Sequence, residues 1–117
     1  MRDYTKVEAW RLADDLTVAV YERTRSFPKE EIYALSSQLK RAAVSVPSNI
    51  AEGQGRRGDR EFSRFLEIAH GSLREVETQV LIAQRLQYIG ASTSDPVLEL
   101  ASKVGRLITG LLNKINQ

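Results

Sequence analysis

Leu39-Lys40-Arg41-Ala42-Ala43-Val44-Ser45-Val46-Pro47-Ser48-Asn49-Ile50-Ala51-Glu52-Gly53 is the stretch that decides the fold. Its apolar residues recur at helical spacing, yet a proline and a polar cluster sit inside the pattern. Such a conflict between local propensity and periodicity marks a specified feature. Extended backwards, Ile32, Leu35, Leu39, Ala43, Val46 and Ile50 step by three or four residues and fall within one arc, which predicts a core-facing row. Roughly 130° around the axis, Gln38, Arg41, Ser45, Ser48 and Glu52 form a polar row with Asn49 at its edge. Pro47 has no N–H to offer the carbonyl of Ala43, a loss of about 3 kcal/mol in an ordinary helix interior. A kink is expected there, with Ser48 or a water satisfying the freed carbonyl.

Working outward, the neighbouring segments also read as helices. Thr5 with Glu8 has the spacing of a capping box, so a first helix is expected to open there and to run through Trp10, Ala13, Thr17, Val20, Tyr21 and Thr24. Phe27-Pro28 stops it, and Pro28-Lys29-Glu30-Glu31 is expected to open the second helix. Gly53 to Gly58 reads as a loop, after which Asp59 is placed to cap a third helix. That helix carries the most regular signal in the chain: Phe62, Leu66, Ala69, Leu73, Val76, Val80 and Ala83 alternate steps of four and three. Ile68, Ile82, Leu86 and Ile89 lie off the seam and call for a second partner, and Gly71 inside the helix suggests close approach of another backbone in an oligomer. Gly90, Asp95 and Pro96 predict a stop, a cap and a first helical residue before Val97, Ala101, Val104, Ile108, Leu111 and Ile115. Nothing alternates as a strand does. The expectation is an all-α, antiparallel up-down-up-down four-helix bundle with its second helix kinked at Pro47, forming a single domain over residues 1–117.

With 117 residues, 42% apolar and 27% charged, the chain can bury a core and lacks the composition of a disordered segment. The absence of cysteine excludes disulfides, thiol nucleophiles and cysteine-held metals, and fits a reducing compartment. No apolar run approaches the roughly 20 residues of a membrane span, so a soluble cytoplasmic protein with no membrane partner is expected. A net charge of +2 argues only weakly for nucleic acid.

Arg41-Ala42-Ala43-Val44-Ser45-Val46-Pro47-Ser48-Asn49-Ile50-Ala51-Glu52-Gly53 resembles the signature of the four-helix-bundle proteins first described as products of intervening sequences in 23S ribosomal RNA genes. The resemblance extends over almost the whole chain. It takes in Trp10, Tyr21, Phe27-Pro28, Glu31 with Tyr33 and Leu35, Phe62 with Phe65-Leu66, and Ala69-His70-Gly71-Ser72-Leu73 with Glu75. It implies a left-handed bundle assembling as a ring, typically a homopentamer. It also implies kinship with accessory proteins of diversity-generating retroelements, which bind a reverse transcriptase and nucleic acid. One departure is that Leu112-Asn113-Lys114-Ile115-Asn116-Gln117 carries no basic run.

Four features invite a functional reading. Gly53 to Gly58 satisfies G-x-G-x-x-G, but the dinucleotide fingerprint needs a preceding strand, and Asp59 would put negative charge where the pyrophosphate sits. It is read as a turn, and no cofactor is expected. His70 stands alone on the third helix with Arg74 and Glu77 within two turns; a boundary or interface role is preferred over a metal. Arg41, Ser45, Ser48, Asn49 and Glu52 could recognise a ligand, but a structural polar network fixing the helix against a neighbour accounts for the same spacing. Arg56, Arg57, Arg60 and Arg64 are the densest basic group, a surface for phosphates or a partner, and equally consistent with an ordinary solvated loop. No set of reacting groups is recognisable, so the expected function is that of a non-enzymatic oligomeric accessory or scaffold. Its expected partners are further copies of itself together with RNA, DNA or a reverse-transcriptase-like protein; the alternative is a protein-only adaptor with no nucleic-acid contact.

Overall fold

The computed structural model describes residues 3–116, which form four α-helices: α1 (Glu8–Thr24), α2 (Leu35–Gln54), α3 (Asp59–Arg85) and α4 (Ala91–Ile115). No strand occurs among the described residues. Each helix packs on the next, and α1 closes on α4, giving a four-helix bundle. Contact partners run in opposite order along α1 and α2 and along α2 and α3. Thr17 and Tyr21 of α1 meet Ala43 and Lys40 of α2, and Ser45 and Gly53 of α2 meet Ser72 and Phe62 of α3.

The seam read on α3 is the centre of the core: all seven of its residues, Phe62, Leu66, Ala69, Leu73, Val76, Val80 and Ala83, are buried. Leu39, Ala43, Val46 and Ile50 of α2 and Val97, Ala101, Val104 and Ile108 of α4 are buried against it, as their spacing predicted. Each large side chain so buried contributes about 1.5–3 kcal/mol.

α2 stays α-helical through Pro47. The carbonyl that Pro47 leaves without its helical donor is that of Ala43, and the donor that reaches it is not Ser48. Thr17 Oγ1 reaches it from α1 at 3.0 Å while also lying 2.9 Å from the carbonyl of Ala13. One hydroxyl proton is therefore shared between a carbonyl of its own helix and one of the neighbour. Ser48 is exposed instead.

Helix ends differ from expectation at each start. Asp3, not Thr5, supplies the first cap: its carboxylate accepts from the Thr5 N–H at 3.1 Å and from the Thr5 hydroxyl at 2.6 Å, holding a single 3-10 turn over Tyr4–Lys6 before α1 opens at Glu8. Lys29–Glu31 is also an isolated 3-10 turn, so Ile32 leaves the predicted core row and is half exposed. The physical reason is Glu31. One of its carboxylate oxygens accepts from the Leu35 N–H at 3.2 Å, capping α2, and the other accepts from the Tyr88 hydroxyl at 2.7 Å. α3 starts one residue after Gly58, whose φ of 84° suits a residue without Cβ, and Asp59 is its first residue rather than its cap. α4 starts at Ala91, ahead of Asp95, so Pro96 lies inside its second turn; the carbonyl that loses a donor belongs to the exposed Ser92.

α3 ends in a Schellman turn. The Tyr88 N–H donates to the Ala83 carbonyl at 2.9 Å and the Gln87 N–H to the Gln84 carbonyl at 3.0 Å, with Gln87 at φ 63° in the left-handed position. The turn delivers Tyr88 to Glu31 and lays its ring 5.6 Å from Phe27. Ile89, expected to lie off the seam, is drawn into the core by the same turn.

Two outcomes follow from these contacts. Thr17→Val strands the Ala43 carbonyl and is expected to cost about 1–3 kcal/mol in urea unfolding. In a Pro47→Ala background, where the helix regains its donor, the same substitution should cost distinctly less. The Tyr88 pKa is raised above its ordinary 10.0 by its hydrogen bond to Glu31, by burial, and by the charges of Glu31 and Glu30. Because the shift is upward, this contact stabilises the fold fully below the ordinary tyrosine value and is lost as pH rises through the folded-state value. Unfolding measured from pH 8 to pH 11 should show a shallower alkaline decline for Tyr88→Phe than for the native chain.

Candidate nucleic-acid interface at the α2–α3 connection

The connection between α2 and α3 is short because α2 runs on to Gln54, so Gly53 belongs to the helix rather than to the predicted loop. Gly53 is buried against the first turns of α3. A Cβ there would stand 2.9 Å from Phe62 Cδ1 and 3.0 Å from Phe65 Cβ, so the missing side chain lets the two helices close on each other. Phe62 enters the core, and Phe65 stays half buried at the edge.

Phe65 organises the basic group. The guanidinium carbons of Arg56 and Arg64 each lie 5.1 Å from its ring centroid, one arriving from the end of α2 and the other from its own helix. Arg56 is also paired with Glu52 at 2.7 Å, one turn earlier. Arg57 and Arg60 are exposed in the connection and the first turn of α3. The structure thus brings Arg56 and Arg64 together on one aromatic platform and leaves all four arginines open to solvent. The i,i+4 spacing of Glu52 and Arg56 was legible; the role of Phe65 was not, since a half-buried aromatic one position off the seam reads simply as core edge.

The proposed polar network divides. Ser45, Asn49 and Ser72 form one cluster across α2 and α3: the two serine hydroxyls lie 2.8 Å apart, and Asn49 Nδ2 donates to the Ser45 carbonyl and hydroxyl at 2.8 and 2.9 Å. Arg41 instead donates to Ser37 Oγ at 3.3 Å, and Glu52 serves Arg56. Arg41 and Glu52 stand eleven residues apart, about 16 Å along a helix, too far to pair. His70 lies half buried on α3 toward α4. Among the described residues no group of three His, Cys, Asp or Glu side chains is placed to hold a metal, and no helix is long and apolar enough to cross a membrane.

The sequence profile of the 23S rRNA-intervening sequence proteins matches residues 5–110. The chain belongs to that family. A solved structure with the same fold is a protein of unknown function from the S23 ribosomal protein family of Bacteroides thetaiotaomicron. It shares 18% identity, with a TM-score of 0.80 over 89% of this chain and 97% of that one. No curated protein matches. Membership of the 23S rRNA-intervening sequence family accounts for the bundle.

The close approach at Gly53 is directly testable. Gly53→Ala forces Phe62 or Phe65 to move and should cost about 1–3 kcal/mol in thermal or urea unfolding.

Proposed function

We propose that this member of the 23S rRNA-intervening sequence family is a non-enzymatic, homo-oligomeric accessory protein of the cytoplasm. It engages nucleic acid, or the acidic surface of a nucleic-acid enzyme such as a reverse transcriptase, through Arg56, Arg57, Arg60 and Arg64. The observation that carries the reading is the gathering of Arg56 and Arg64 on Phe65, beside exposed Arg57 and Arg60. Guanidinium groups held in place lose less freedom on meeting a phosphate and present fork geometry suited to its oxygens. In a ring, a pentamer by the family resemblance, each copy would add the same four arginines to one rim and multiply weak contacts by avidity.

Self-association is supported by apolar surface that the single chain leaves uncovered. Val18 is 53% exposed, Ile68 41%, Ile82 43% and Leu86 51%. Nothing lies within 4 Å of the place where a Cβ on Gly71 would stand, so the α3 backbone at Gly71, close to Ile68, is open to another chain. The same apolar surface favours the second reading, a protein-only adaptor.

Fluorescence anisotropy with labelled structured RNA and duplex DNA at two salt concentrations separates the two. On the first reading, binding weakens steeply with salt, and replacing all four arginines by alanine lowers affinity at least tenfold while the oligomer mass in light scattering is unchanged. Absence of binding at low salt favours the adaptor.

A further inference from the structure

His70 was singled out in the sequence and is not used by the arginine rim. It sits on the outer groove between α3 and α4, where a cavity of about 270 Å³ opens. With it in the lining are Arg74 and Glu77 of α3 and Ser102, Arg106 and Thr109 of α4. Gly105 belongs to the same stretch of α4; a Cβ there would meet Leu73 Cδ2 at 3.2 Å, so the helices approach closely beneath the groove. The volume is near the lower end of the range for small-ligand sites, roughly 300 Å³.

The charges and donors of this lining are arranged for an anion. Glu77 is its single carboxylate, and Arg74 Nη1 neutralises it at 2.9 Å. Arg106 forms no ion pair among the described residues and is steadied by donating from Nη1 to Ser102 Oγ at 3.0 Å. Accepting that bond turns the hydroxyl proton of Ser102 away from Arg106. The His70 ring and the Thr109 hydroxyl have no hydrogen-bond partner among the described residues. Donors with no protein acceptor among the described residues therefore line both walls, from His70 and the spare N–H groups of Arg74 on one side to Ser102, Arg106 and Thr109 on the other, and are open to an incoming ligand. A planar carboxylate has two oxygens in one plane, whereas a phosphate offers three acceptor oxygens arranged in space and can address both walls at once.

We propose that the α3–α4 groove is a binding site for a small phosphate monoester, with Arg106, Ser102, Thr109 and His70 as the phosphate donors and Glu77 fixing Arg74. The site is separate from the arginine rim: its nearest member, His70, lies six residues beyond Arg64, about 9 Å along α3 and about 120° round its axis.

The test is a titration of the ¹⁵N-labelled full chain by NMR with inorganic phosphate and with methyl phosphate at constant ionic strength, and with acetate as the comparison. Support is a saturable shift of the Ser102, Gly105, Arg106 and Thr109 amides and of the His70 ring. Arg106→Gln should weaken it at least tenfold and Thr109→Val several-fold, while the Arg57→Gln/Arg60→Gln pair leaves it unchanged. Shifts that grow linearly without saturating overturn the site, as do shifts centred on the α2–α3 connection or binding undiminished in Arg106→Gln. Equal affinity for acetate overturns the phosphate assignment. Both substituted α4 residues are exposed, so the spectrum of each variant also reports that the fold is intact.

Discussion

The burial of one face of α3 is the constraint on which the rest of the molecule depends. α3 packs against both α2 and α4, and its seam from Phe62 to Ala83 supplies the surface on which those two helices close, with α1 completing the bundle between them. Two glycines set how near they come: Gly53 on the α2 side, beneath Phe62 and Phe65, and Gly105 on the α4 side, beside Leu73. Each close approach lies under a candidate site. The arginine platform stands over the first and the α3–α4 groove over the second, so packing distances in the core fix what the surface can present.

The polar contacts that matter are few and join elements distant in sequence. Glu31 caps α2 and holds Tyr88 at the end of α3, which ties the α1–α2 connection to the α3–α4 turn. Ser45, Asn49 and Ser72 bridge α2 and α3 near their middles. These groups are placed where an unmatched donor or acceptor would be costly, so they add a requirement for one arrangement on top of the non-directional attraction of the apolar seams.

Periodicity made the interior legible. The α3 seam, the α4 row from Val97 to Ile108 and the α2 row from Leu39 onward are all buried as their spacing required, because a helix has one way to place residues at steps of three and four on a common face. Leu111 and Ile115 at the end of the α4 row are only partly covered. The ends were less legible. At Tyr4–Lys6 and Lys29–Glu31 the residues that favour a helical start form single 3-10 turns, since Asp3 and Glu31 offer competing caps through side-chain bonds that spacing alone does not reveal. At Gln87 a residue with a side chain occupies a left-handed position that composition would have given to Gly90. The arginines of the candidate interface could be counted in the sequence, but their assembly on Phe65 depends on how α2 and α3 meet, and that is a property of the packed pair.

The bond from Thr17 to the carbonyl of Ala43 has a consequence beyond satisfying a lone acceptor. The buried apolar residues of α1 and α2 are all aliphatic, and an attraction between aliphatic faces is non-directional, so it discriminates poorly between alignments that differ by a helical turn. Thr17 and Pro47 break that equivalence. In an alignment slipped by one turn the hydroxyl meets a carbonyl already engaged in its helix, and the Ala43 carbonyl faces Ala13 or Tyr21 in place of Thr17. A missing N–H, ordinarily a defect of a helix, thus becomes an address on α2 that one residue of α1 can read, and it selects a single axial alignment among several that hydrophobic packing alone would leave close in energy.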